Sequence, residues 1–427
     1  MSNRRTFLKQ AGLLAASLPL LPEALATPAQ PPTPSLAGSD KWRNLRELFP
    51  LDPQIAHFAN FLITAHPRPV QAAIDRHRAD LDRNPAALMD WESQYEWQRE
   101  DEVREWAGRY LEVGPRQVAL TGSTTEGLAM IYGGLKVGAD QEILITEHEH
   151  YSAHKTLAFR TQRQGTAVRK IRLFDNPWTI SSDQVLSTLD KAIRPNTRVL
   201  GMTWVHSGSG VKLPVGEIGE LVRQHNRNRS DAERILYVVD GVHGFGVENV
   251  RFADFNCDYF IAGTHKWMFG PRGTGIICAA STGMEHLTPS VATFSRDEDF
   301  ATIMTPGGYH AFEYRWAASE AFKLHLALGK ADVQQRIHQL NDLLKARLTE
   351  HPQVQLVTPR SERYSAGFTF FRIKDRDPDA VAAHLTANRV MCDAVYRDVG
   401  PVIRLAPGLL NDEQQIERAM QLIVSQL

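Results

Sequence analysis

Six short, almost uninterrupted apolar runs, set between stretches of helical periodicity, constrain this chain more than any other feature. They cover residues 118–120, 143–145, 199–205, 235–239, 259–262 and 275–278. A strand covered on both faces carries no polar alternation, so these runs predict a mostly parallel sheet held between layers of helices, an α/β fold. Further along, Val333, Ile337, Leu340, Leu344 and Leu348 recur at helical spacing and predict a long amphipathic helix. A strand-like run at 368–373 and a helix from about Asp412 complete a smaller α+β C-terminal domain. The expected organisation is an N-terminal segment and large domain over residues 40–309 and a small domain over 310–427.

Chemistry-bearing residues gather where the predicted strands end. Asp240-Gly241-Val242-His243 closes one apolar run, and Gly263-Thr264-His265-Lys266 follows the next. Parallel strands bring such ends to one carboxyl edge, where ligands of open α/β sheets bind. A lysine alone is usually a solvated surface charge. Beside a buried aspartate at a sheet edge, it fits the chemistry of pyridoxal phosphate. The amine carries the aldehyde as a Schiff base and then moves protons, while the carboxylate keeps the pyridine nitrogen protonated.

The run at 118–120 leads into Thr121-Gly122-Ser123-Thr124-Thr125-Glu126, where Ser123 and Glu126 have the spacing of a capping box. Free N–H groups at a helix start form an anion site, which suits the cofactor's phosphate, and Thr264 and His265 could add donors. Such a cap is more often structural than functional when it stands alone. No GxGxxG follows the first strand, which disfavours a dinucleotide fold. The formal net charge of -1 offers no basic field for nucleic acid or an anionic membrane. The three cysteines, Cys257, Cys278 and Cys392, have no CxxC spacing, so neither a disulfide framework nor a zinc site is indicated. His148 and His150 flank Glu149 without a further ligand cluster, and no metal is expected.

From about His57 onwards the chain resembles the class V aminotransferases, which belong to fold type I of the pyridoxal phosphate enzymes. The Asp-Gly-x-His strand end and the Gly-Thr-His-Lys loop carry the resemblance. It implies pairing of Asp240 with the pyridine nitrogen and a Lys266 aldimine. It places Ser123, Thr124, Thr125 and His265 at the phosphate, Ser207 and His243 near the phenolic oxygen, and His150 stacked on the ring. Arg404, in Ile403-Arg404-Leu405, matches the arginine that holds a substrate carboxylate. The resemblance also implies a homodimer. Two departures stand out. Phe312-Glu313-Tyr314-Arg315-Trp316 replaces the Gly-Thr that reaches a partner's phosphate, with Arg315 as a candidate substitute. No cysteine lies between Asp393 and Val402, where desulfurases of the family carry one.

The N-terminus adds a location. Arg4-Arg5-Thr6-Phe7-Leu8-Lys9, an apolar run at 11–21 and Ala24-Leu25-Ala26 read as a twin-arginine secretory signal over residues 1–26, followed by a linker at 27–39. The run is too short to span a bilayer, which needs about 20 residues. Export of a folded, cofactor-loaded enzyme to the periplasm by the twin-arginine machinery is expected. A class V chain with this leader resembles the exported enzymes that modify pyoverdine siderophores. That resemblance implies action on the N-terminal glutamyl residue of a siderophore peptide, converting it to succinamide. A periplasmic aminotransferase for a small amino acid and a keto acid stays open, as does a cofactor-free binding protein.

Overall fold

The computed structural model describes residues 36–90, 92–294 and 299–427. The expected signal and residues 27–35 of the expected linker lie outside these. After the short β1 (Ala56–His57) come β2 (Val118–Thr121), β3 (Glu142–Thr146), β4 (Ala167–Ile171), β5 (Thr197–Thr203), β6 (Leu236–Asp240), β7 (Tyr259–Gly263) and β8 (Gly275–Ala279). Strands β2 to β8 form one sheet in the order β2-β8-β7-β6-β5-β3-β4. Only β8 runs against the others, pairing antiparallel with β2 and β7. The carboxyl ends of β2, β3, β5, β6 and β7 therefore share one edge. The fold is α/β with a mostly parallel central sheet flanked by helices.

The apolar runs form strands because each lies between helix layers. Every residue of β2, β3, β5, β6, β7 and β8 is buried. Burying a Val, Ile or Phe side chain contributes about 1.5–3 kcal/mol, so a charge placed at Val239 would disrupt one layer and a charge at Ile261 the other. β4 was not marked by any apolar run. It is one of the two edge strands, with Ala167 and Lys170 exposed, and the Arg169 side chain forms an ion pair with Glu142.

The helix Thr124–Gly134 packs with its backbone nearly on the sheet. A Cβ at Gly127 would stand 2.6 Å from the Ile261 side chain. This close approach brings the helix start beside the end of β7, where Lys266 follows.

The C-terminal part holds β9 (Val354–Leu356), β10 (Thr369–Ile373), β11 (Val390–Met391), β12 (Asp393–Val395) and β13 (Val402–Leu405). Four of these make an antiparallel sheet in the order β12-β13-β10-β9. β11 pairs with β1, which ties the N-terminal segment to the C-terminal part. Val333, Ile337, Leu340, Leu344 and Leu348 are all buried along the helix Lys330–Thr349. Asp412 caps the helix Glu413–Val424 by accepting from the Gln415 N–H at 3.0 Å. Together, Leu36–Leu427 form a single compact unit.

Candidate active site

Asp240 ends β6, and Lys266 lies three residues beyond β7, its neighbour in the sheet. Gly241 makes the turn after Asp240 possible, because a Cβ there would collide with the Phe260 ring at 1.9 Å. One Asp240 oxygen accepts the Val242 N–H at 3.2 Å. Burial raises the Asp240 carboxyl to about 6, against the opposing pull of that hydrogen bond and of Lys266. Among the described residues this carboxylate has no ion-pair partner in contact, and it suits a protonated ring nitrogen. Burial lowers Lys266 to about 8; Asp240 opposes the shift, and Arg404 and Arg397 add to it. An amine of this basicity has a sizeable unprotonated fraction near neutral pH, as a nucleophile and proton carrier requires.

His243 lies between them in sequence and beside Lys266 in space, with its Nε2 3.4 Å from the lysine Nζ. The Trp267 indole N–H points at His243 Nδ1 at 3.4 Å. An indole only donates, so Nδ1 accepts and Nε2 carries the proton. Burial, reinforced by Lys266 and Arg404, keeps this imidazole neutral. The backbone of the lysine loop is held from outside the sheet. Thr64 donates its N–H to the His265 carbonyl at 3.1 Å and its hydroxyl to the Lys266 carbonyl at 3.0 Å.

On the expected phosphate side, Ser123 caps the helix Thr124–Gly134 by accepting the Glu126 N–H at 3.1 Å. The Glu126 carboxylate reaches back to the Gly122 N–H. Thr124 Oγ1 accepts the Gly263 N–H at 2.7 Å, joining this helix start to the lysine strand. The N–H groups of Thr124 and Thr125 have no hydrogen-bond acceptor among the described residues, and Thr125 is exposed. His265 Nδ1 is buried without a partner beside Thr124 Oγ1 and Gly263. Unpaired donors at a helix start with an orphaned imidazole nitrogen beside them fit a phosphate. Thr264 differs from expectation: its hydroxyl bonds to Thr274, whose own proton goes to the Pro271 carbonyl. Thr264 therefore braces the lysine loop instead of facing the phosphate side.

His150 follows β3 and caps the helix Tyr151–Gln164, with Nδ1 2.8 Å from Ser152 Oγ. Burial, with Arg397, Lys266 and Arg404 adding, lowers it to about 4, so it is a neutral ring at neutral pH. Ser207 follows β5 at the same edge and receives two arginines. Arg404 Nη1 donates to the Ser207 carbonyl at 2.8 Å, and Arg397 Nη2 donates to that carbonyl at 2.9 Å and to Ser207 Oγ at 2.8 Å. Arg404 rises from β13 in the small sheet, lies 3.7 Å over the Phe61 ring, and binds Asp393 through Nε at 2.9 Å and Nη2 at 2.5 Å. Three of its five N–H groups are thus committed, and two remain.

Sequence reasoning missed Arg397, Asp393, Thr64 and Phe61. The two arginines act electrostatically on Lys266, His150 and His243, although they come from a different sheet. Asp398 anchors the loop that carries Arg397: its carboxylate lies 2.7 Å from His148 Nδ1, and its φ is +58°. His148 stacks on Phe174 at 3.9 Å, so the two histidines flanking Glu149 serve separate partners. Glu149 itself accepts the hydroxyls of Thr146 and Thr203. Arg315 binds Glu100 at 2.8 Å, next to the buried Arg104–Glu100 pair, so its charge is already matched within the chain. Lys212 pairs with Glu248 at 2.7 Å. Cys392 is partly buried, and burial pushes its thiol up to about 12, far from a reactive thiolate.

The chain belongs to the class-V aminotransferase family, whose pattern matches residues 64–402. It is similar to the isopenicillin N epimerase of Streptomyces clavuligerus, 25% identical over 401 residues that cover 88% of this chain and 96% of the epimerase. It is also similar to a cysteine desulfurase of Klebsiella pneumoniae, 28% identical over about half of each chain. Among solved structures it shares its fold with the cysteine desulfurase of Thermococcus onnurineus NA1, with a TM-score of 0.77, 19% identity, and coverage of 90% of this chain and 97% of that one. A mutant of the cystine C-S lyase C-DES with glycine linked to its pyridoxal phosphate matches equally well in TM-score, at 20% identity. The family uses pyridoxal phosphate, which when bound supplies an electron sink for charge left at a substrate carbon. Here Lys266 would tether it, Asp240 would face its ring nitrogen, and the start of the helix Thr124–Gly134 with His265 would take its phosphate.

Proposed function

We propose that this pyridoxal phosphate enzyme works in the periplasm, exported by the twin-arginine machinery, and modifies the N-terminal glutamyl residue of a pyoverdine siderophore. The glutamyl residue offers an α-amine and an α-carboxylate. The observation that carries the reading is the convergence of Arg404 and Arg397 on Ser207 beside Lys266. It gives an amine-handling lysine and a pair of cations for a carboxylate in one site. Absence of cysteine from 393–402 and the high Cys392 thiol argue against desulfuration. The similarity to an isopenicillin N epimerase over 88% of this chain favours chemistry at a stereogenic carbon over sulfur transfer.

In this reading Lys266 moves the proton at the substrate α-carbon and His243 stays neutral beside it. Conversion of the glutamyl group to succinamide also removes carbon dioxide and oxidises the α-carbon. With dioxygen as oxidant, the amino acid end becomes an amide, carbon dioxide and water, and the atoms balance. We further propose a homodimer. Leu62 and Ile63 are 56% and 52% exposed, directly before the Thr64 that holds the lysine loop, and a second subunit would cover them.

Mass spectrometry of the holoenzyme incubated with the glutamyl siderophore tests the reaction. The expected product has lost carbon dioxide and two hydrogen atoms and gained one oxygen atom. A keto acid in its place would assign the enzyme as an aminotransferase, and an unaltered siderophore would refute the substrate.

A further inference from the structure

Arg397 and Arg404 converge on one acceptor but differ in charge balance. The Asp393 carboxylate grips Arg404 from the side and offsets its charge. Arg397 is partly buried and binds only the carbonyl and hydroxyl of Ser207, with no carboxylate in ion-pair contact among the described residues. Its neighbour Asp398 is directed to His148. Asp398 also fixes the loop, so the guanidinium is held at the site by a chain running from Phe174 through His148 and Asp398. Asp398 and Asp393 favour the Arg397 charge from a distance, but burial and Arg404 outweigh them, and a partly buried guanidinium without a contacting carboxylate costs free energy that an arriving anion would offset.

We propose that Arg397 is the residue that discriminates for a negatively charged substrate carboxylate, while Arg404, already balanced by Asp393, orients that carboxylate with its two remaining N–H groups. This rests on the reading that the site takes an α-amino acid end. It assigns a specificity role to the loop 396–400, in the stretch where desulfurases of the family carry their cysteine. The carboxylate supplies the ion-pair contact that Arg397 lacks, and the fork of the guanidinium matches its two oxygens.

The test uses the holoenzyme with L-glutamine and L-glutaminamide, two probes that differ only in an α-carboxylate or a neutral α-amide. Dissociation constants are read from calorimetry and from the change in cofactor absorbance. Wild type should prefer L-glutamine by about tenfold or more, the order of one charge-assisted hydrogen bond. Arg397→Gln should remove that preference, and Arg397→Lys should restore part of it. The charge-balanced double variant Arg404→Gln with Asp393→Asn should weaken both probes together and keep the preference. Loss of the preference in the double variant and its retention in Arg397→Gln would overturn the inference. A wild type that binds both probes equally, or neither, would instead remove the α-amino acid reading beneath it. Unchanged cofactor absorbance in each variant confirms that the site is intact.

Discussion

The two halves of the site are built in different ways. Asp240, Lys266, Ser123 and His150 stand at the ends of strands in one buried sheet, so the sheet register fixes their spacing. Arg404 and Arg397 reach the same place from a second sheet and its loop, held by Asp393, Phe61 and Asp398. The first half is fixed by the sheet register and offers the cofactor a lysine, a carboxylate and free helix N–H groups. The second is an assembly of cations whose balance depends on a few acidic side chains. Cofactor binding and substrate binding should therefore be separable by mutation.

Lys266→Ala should have the largest effect. Loss of proton transfer alone lowers turnover by roughly 10²- to 10⁴-fold, and loss of the covalent tether adds to this. Circular dichroism should be unchanged, and noncovalent cofactor binding should persist, because Asp240 and the helix start remain. A variant that turns over at the wild-type rate would show that another lysine serves, with Lys155 the next to examine, since Lys212 is paired with Glu248.

Arg404→Ala should come next and act on the other half. It removes the partner of Asp393 as well as two free donors, and truncating one member of such a pair costs about 2–5 kcal/mol in binding. Substrate affinity should fall while the absorbance of the bound cofactor stays the same. A lost cofactor band would mean that the halves are coupled.

The smallest effect concerns pH. Lys266 titrates at about 8, so the rate at which the cofactor-free protein captures pyridoxal phosphate should rise with pH up to that value, below the ordinary lysine range. Asp240 favours the protonated amine, so Asp240→Asn should move the rising limb to lower pH. A limb that stays in place, or moves up, would show that the two groups do not sense each other.

The sheet half was legible in the sequence, whereas of the cationic half only Arg404 was, through its place in Ile403-Arg404-Leu405, and Arg397 was not, for a physical reason. Strands buried on both faces leave continuous apolar runs, and the turn after Asp240 needs Gly241, so both mark the sheet edge directly. The edge strand Ala167–Ile171 escaped notice because its charged residues face solvent or pair with Glu142. Arg397 is one of many loop arginines, and only the folded contact with Ser207 distinguishes it. Thr264 stands in the same tetrapeptide as Lys266, yet its hydroxyl turns to Thr274, an orientation that spacing alone does not reveal.

The role of Lys266 is read most directly by reducing the cofactor-loaded protein with borohydride, digesting it, and locating the lysine that carries the pyridoxyl group by mass spectrometry. The modification is expected on the peptide containing Lys266 and on no other lysine. Modification of Lys155 or Lys212 in its place, or a protein that retains no pyridoxyl group, would contradict that role.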